Sequence, residues 1–153
     1  MDHTYYMQQV LQEAQESINT WSFPFSVVVV DRRTWEIAHK DHDRVEEFTD
    51  PTAHAEVNAI RFLCKKLSRL SLENYIFYTS SEPCPTCLTA CIKAHVPEIY
   101  FGADTESTAS LPIKAIELAS KSKKYPIKVT WGILADECLR QREDFFMQVH
   151  SSL

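Results

Sequence analysis

Glycine is almost missing from this chain: only Gly102 and Gly132 occur among 153 residues. A phosphate-cradling loop needs several glycines close together, so no Gly-rich nucleotide loop is present. Long apolar runs are missing too. The stretch from Phe25 to Val30 falls far short of the roughly 20 residues that span a bilayer, so no membrane partner is expected. Met1 to Gln9 is polar and aromatic rather than basic and then apolar, so no secretory signal is expected. Basic charge is in the minority, with 16 Lys and Arg against 21 Asp and Glu and a net charge of -5. Lys121, Lys123 and Lys124 form the only dense basic cluster, which reads as a solvated helix end. Phosphate-rich partners usually meet a basic surface, so a nucleic acid is not the expected partner. The five cysteines are an odd number and imply a reducing, cytoplasmic setting rather than a disulfide framework. There is no internal repeat or low-complexity tract. With 44% hydrophobic and 24% charged residues, the expectation is one globular domain over residues 1–153 with a real core.

The chemistry-bearing residues lie between Asp50 and Cys91. A His-x-Glu, His54-Ala55-Glu56, is followed by a Pro-Cys-x-x-Cys, Pro83 to Cys87. One imidazole and two thiolates from His54, Cys84 and Cys87 make a soft donor set suited to tetrahedral Zn2+, leaving a fourth corner for water. Glu56 is the candidate proton carrier. Pro85 suits the first position of a helix with Cys84 as its N-cap, and the positive end of that helix favours thiolates. Asp50-Pro51 is a second candidate helix start. His54 and Glu56 diverge on a regular helix, so they can serve one ion only near its beginning. A thioredoxin-like redox pair leaves the His-x-Glu unexplained. An iron–sulfur cluster lacks four thiolates at ferredoxin spacing. A structural zinc closed by Cys91 competes with Cys91 as a buried small residue.

Around this stretch, strands and helices alternate. Met7, Val10, Leu11, Ala14 and Ile18 space out as an amphipathic helix. Ser26 and the run Val27–Val30 read as a strand buried on both faces. A turn at Asp31-Arg32-Arg33 sends Thr34–Ala38 back as an antiparallel strand, and His39–Asp50 reads as a charged loop. A helix over His54–Leu70 follows, then a strand over Tyr75–Thr79 that delivers Ser80, Ser81 and Glu82 to the site, and the Cys84 helix to about Ala94. Pro97–Phe101 is a strand, Gly102–Ser110 a loop, Ile113–Ser120 a helix and Ile127–Trp131 the last strand. A final helix from Ala135 places Leu134, Cys138, Phe145 and Val149 on one face. The pattern implies an α/β domain with a mixed sheet of five strands.

The His-x-Glu with Pro-Cys-x-x-Cys matches the established signature of the zinc deaminases. Asp50–Glu56, Tyr78–Cys87 and Gly132–Cys138 resemble the cytidine deaminase-like superfamily, and within it the bacterial guanine deaminases and tRNA adenosine deaminases. Phe23-Pro24-Phe25 fits the family's opening strand, so the likeness covers nearly the whole chain. The resemblance implies a three-layer α/β/α sandwich around a mixed five-stranded sheet, usually dimeric. It implies His54, Cys84 and Cys87 as zinc ligands and Glu56 as catalytic proton shuttle. The Ala55 N–H and the Ser81 carbonyl would touch the reacting edge, with Glu82 beside them and Phe25 walling the base. The family's base-binding Asn, eleven positions before the zinc His, falls on Asp43; a shifted loop would offer His42 or Asp41. Where the family has glycine this chain has Ser26.

The expected function is zinc-dependent hydrolytic deamination of a small nucleobase, first guanine or a related aminated purine. The alternatives are a tRNA adenosine deaminase, or a deaminase of cytosine or another aminated heterocycle. Gly132–Cys138 and Phe145-Phe146 resemble the tRNA enzymes more. The acidic charge and Tyr78–Cys84 resemble the guanine enzymes more. A zinc-binding protein without catalysis would have no need of Glu56.

Overall fold

A computed structural model describes residues 2–105 and 111–151. The valine run forms β1 (Ser26–Asp31). It is buried on both faces as expected: Val28 and Val30 point into one apolar cluster, Val27 and Val29 into the other.

β2 (Ile37–His42) pairs antiparallel with β1 but starts later than Thr34. The turn uses up the intervening residues. The Asp31 carboxylate accepts from the Arg33 N–H, the Asp31 carbonyl accepts from Thr34 and Trp35, and Trp35 takes a φ of 62°. The polar residues His39, Lys40 and Asp41, expected in a loop, continue the strand instead. They can do so because β2 is an edge strand, where charge is tolerated and discourages further pairing. The rest of that expected loop holds a one-turn helix, α2 (Val45–Phe48).

Helix α1 (His3–Asn19) precedes β1. After α2 come α3 (Ala55–Leu67), the fully buried β3 (Tyr75–Ser81), α4 (Pro85–Lys93), β4 (Glu98–Ala103), α5 (Ala115–Ser120), β5 (Lys128–Trp131) and α6 (Ala135–Ser151). The sheet order is β2-β1-β3-β4-β5, with β1–β3 antiparallel and β3–β4 and β4–β5 parallel. Helices α1 and α6 cover one face and α3, α4 and α5 the other, giving the three-layer α/β/α sandwich. β4 runs past Phe101 through Gly102, where a Cβ would collide with the Cys138 Sγ of α6. Of the expected Gly102–Ser110 loop, residues 106–110 lie outside the described residues. The carboxyl ends of β3 and β4 therefore open beside the starts of α3 and α4, the place where α/β sheets collect their sites.

Candidate functional site

Two helix starts meet at the site. Asp50 does not begin α3; its carboxylate accepts from the Thr52 N–H and hydroxyl and closes a turn. The helix begins at Ala55 with His54 as its extended N-cap. Across from it, Cys84 is the extended N-cap of α4 and Pro85 follows at the first helical position, where its missing N–H removes nothing. An N-cap side chain is free of the helical fan, which is how His54 and Glu56 can face one point.

His54 Nδ1 lies 3.6 Å from Cys84 Sγ and 3.3 Å from Cys87 Sγ, and the two sulfurs are 3.4 Å apart. Metal–ligand bonds of about 2.0–2.3 Å in a tetrahedron give edges of roughly 3.3–3.8 Å, so the donors fit zinc in number, type and spacing. They are the one such cluster among the described residues. The Cys87 thiol beside Cys84 holds the Cys84 pKa down to about 4, and the same contact pushes Cys87 well up. The contact with Cys84 also raises His54. Cys84 is thus already the thiolate of the pair, and Cys87 keeps a proton that a cation would displace.

Glu56, in the first turn of α3, is buried. Burial pushes its carboxyl up from the usual carboxylate range, against the weaker pull of its own backbone N–H and the Cys87 thiol. His54, Glu56, Cys84 and Cys87 share one cavity of about 280 Å³, walled also by Phe25 and Ser81.

The family description for the cytidine and deoxycytidylate deaminase zinc-binding region matches residues 1–103, which hold the whole of this donor set. The chain belongs to that family. It is similar to the guanine deaminase of Bacillus subtilis, 36% identical over 110 residues, covering 71% of this chain and 69% of the relative. It is also similar to the tRNA-specific adenosine deaminase of Rickettsia typhi, 25% identical over 147 residues, covering 96% and 99%. A solved guanine deaminase of Nitrosomonas europaea, 22% identical, superposes with a TM-score of 0.83 over 94% of this chain and 84% of its own, which shows the fold. The protein is therefore a zinc-dependent deaminase, a hydrolase of C–N bonds.

Within this deaminase fold the remaining expected residues are placed as follows. Phe25, Ser81 and Glu82 line the cavity. Ala55 is the first residue of α3, so its N–H has no intrahelical acceptor. The Ser81 carbonyl accepts from the Thr79 hydroxyl at 2.8 Å. Glu82 Oε2 accepts from the Ala115 N–H at 2.8 Å, and Lys114 Nζ stands 3.8 Å from Oε1, so this carboxylate also docks the start of α5. Ser26 turns its hydroxyl away, donating to the Val10 carbonyl of α1.

Asp43 is buried, outside the cavity wall and bound through its N–H to the Phe25 carbonyl. Its Oδ1 accepts from the Val45 N–H, and Oδ2 takes no hydrogen bond among the described residues. The other two candidates are engaged elsewhere, Asp41 by His39 and Arg44 and His42 by Glu13.

Two site-supporting residues escape the sequence reading. Asn58, four residues after His54, donates from Nδ2 to the His42 and Ala53 carbonyls and joins the end of β2 to the start of α3. Its position in the first turns of α3 was the available signal. Arg142 belongs to α6 and is buried; its spacing from Cys138 and Phe145 puts it on the inward stripe, against the usual exposure of arginine.

Proposed function

We propose that this zinc deaminase acts on a free nucleobase, guanine or a related aminated purine, replacing a ring amino group by oxygen and releasing ammonia. The observation that carries this reading is the cavity itself. It has the volume for a single base, and neither lysine nor arginine lines it among the described residues, whereas a polynucleotide site needs cations for phosphates. The 36% identity to a guanine deaminase supports the same choice. His54, Cys84 and Cys87 hold the metal in this proposal. Zinc there lowers the pKa of a water toward about 7 and supplies hydroxide near neutral pH.

Glu56 takes the water's proton and returns it to the departing amino group, and its buried, raised carboxyl suits a group that alternates between the two forms. The Ala55 N–H donates to the ring edge that gains charge, and the Ser81 carbonyl accepts from the amino group that leaves. Phe25 stacks on the ring. Asp43, buried next to the cavity and tied by its N–H to the carbonyl of the lining residue Phe25, reads the far edge of the base.

A second reading is favoured by one observation. The match to the tRNA-specific adenosine deaminase runs over 96% of this chain, α6 included, while that to the Bacillus guanine deaminase covers 71%. Ammonia release from free bases, nucleosides and a tRNA anticodon stem separates the two. Turnover of guanine or another aminated purine base is expected. Turnover of the anticodon stem alone makes the protein a tRNA adenosine deaminase.

A further inference from the structure

Arg142 is 4% exposed. Its Nη1 donates to the Ser81 hydroxyl at 2.9 Å, and its Nη2 donates to the Asp104 carbonyl at 2.6 Å. No carboxylate among the described residues comes within ion-pair distance of it. Burial pushes its pKa down, and the more distant Asp104 and Glu143 carboxylates offset this only in part. A guanidinium taken out of water without a charged partner costs stability that a methionine of similar volume would not. Stability therefore does not account for an arginine here, and local rules of this kind are broken chiefly at functional sites.

The two acceptors show what it joins. Ser81 ends β3 and stands opposite Ala103, and the Glu82 N–H still donates to the Ala103 carbonyl. Beyond that bond the strands part. One chain turns through Glu82 and Pro83 to Cys84, and the other continues through Asp104 to Thr105. Ser81, Glu82 and Thr105 all line the cavity. Arginine's planar fork can hold two acceptors on different strands at once, which a lysine ammonium cannot do with fixed geometry.

We propose that Arg142 is a positioning residue of the deaminase site: it fixes the separation of the diverging ends of β3 and β4, and so sets the cavity wall of Ser81, Glu82 and Thr105. The inference rests on the reading that the substrate occupies this cavity. Glu56, in the first turn of α3, and His54, its N-cap, are not among the hydrogen-bond partners of Arg142, so the wall affects binding of the base more than proton transfer.

The test uses the zinc-loaded full chain and the base found by the panel above. Arg142→Met is expected to raise KM about tenfold with kcat within about threefold, since it loosens binding rather than chemistry. Zinc content should stay at its wild-type value. Amide exchange should quicken at Glu82 while β1 amides are unchanged. Arg142→Lys should fall between, and Ser81→Ala combined with Arg142→Met should cost less than the sum of the two. A folded, zinc-loaded Arg142→Met with wild-type KM and wild-type Glu82 exchange overturns the proposal, even if its melting temperature drops. If Arg142→Met does not fold, Arg142→Lys and Ser81→Ala carry the same comparison. If the wild type turns over no base, the substrate reading fails on its own. Glu82 exchange then decides the matter: faster in the variants upholds the proposal, and unchanged overturns it.

Discussion

His54 and Glu56 are two residues apart, and on a regular helix their side chains would diverge. The structure resolves this by leaving His54 outside the helix as an extended N-cap, with Glu56 inside the first turn. If Glu56 carries protons and does not ligate, Glu56→Gln should keep about one zinc per chain and lose about 10²- to 10⁴-fold in kcat. Cys84→Ala should lose metal and activity together. Metal analysis beside the rate assay checks both, and zinc loss in Glu56→Gln would reassign it as a ligand. Asp43 makes a second prediction. An asparagine there offers a donor and an acceptor, while an ionised aspartate only accepts. A base edge presenting a carbonyl would leave a buried oxygen unpaired, a fault that can discriminate by about 10⁴- to 10⁵-fold. Asp43→Asn should therefore move the kcat/KM ranking of aminated bases toward guanine. An identical ranking in the variant would leave Asp43 as the residue that caps the Val45 turn and nothing more. The three donors and Glu56 were legible because their spacing is the chemistry. Asn58 and Arg142 were not, because each works through backbone or hydroxyl acceptors brought close only by the fold.

Elements were legible where burial follows a period and shifted where a turn decides. β1, β3 and the Cys84–Pro85 start of α4 stand where Val27–Val30, Tyr75–Thr79 and the N-cap pattern put them. β2 moved toward the charged segment because the Asp31 turn consumed residues and an edge strand accepts polar ones. Two predictions belong at this scale. At the start of α1, His3 Nδ1 meets the Tyr78 hydroxyl at 2.7 Å and its ring stacks on Tyr100. Burial lowers the His3 pKa below its ordinary 6.5. The unfolded chain therefore binds this proton at a higher pH than the folded one. The contribution is intact above about 6.5 and is lost as pH falls toward the folded pKa. Melting curves from pH 8 to pH 5, about the range where histidine titrates, should show a steeper acid loss in the wild type than in His3→Gln; parallel curves would exclude His3 as the cause. The second concerns α5, whose first N–H is satisfied by Glu82 rather than by an N-cap side chain. Glu82→Ala should destabilise the fold by about 1–3 kcal/mol through that unpaired donor, read as a lower denaturant midpoint. A raised KM at unchanged midpoint would instead place the carboxylate on the substrate.

For the molecule as a whole, the alternation of strands and helices predicted a mixed five-stranded sheet, and the sheet has two antiparallel and two parallel pairings. The strand order was not readable from propensity, since β1 leads to the edge strand β2 and the chain then crosses back to place β3 on β1's other side. Substrate class is also a whole-molecule property, because a long polyanion senses the summed charge while a neutral base senses only the cavity. The net charge is -5. A protein that neutralises some 6–10 phosphates loses about 10³- to 10⁵-fold in affinity between roughly 50 and 200 mM salt, as released counterions become harder to dilute. A free purine releases none. kcat/KM on the base should therefore change by less than about twofold across that range, and a tRNA anticodon stem added in excess should not inhibit. The first outcome tests the binding of the base and the second tests for a phosphate-binding surface. Inhibition by the stem that is strong at low salt and vanishes at high salt would show phosphate contacts outside the cavity. The long match to the tRNA-specific enzymes would then reflect shared substrate and not only shared fold.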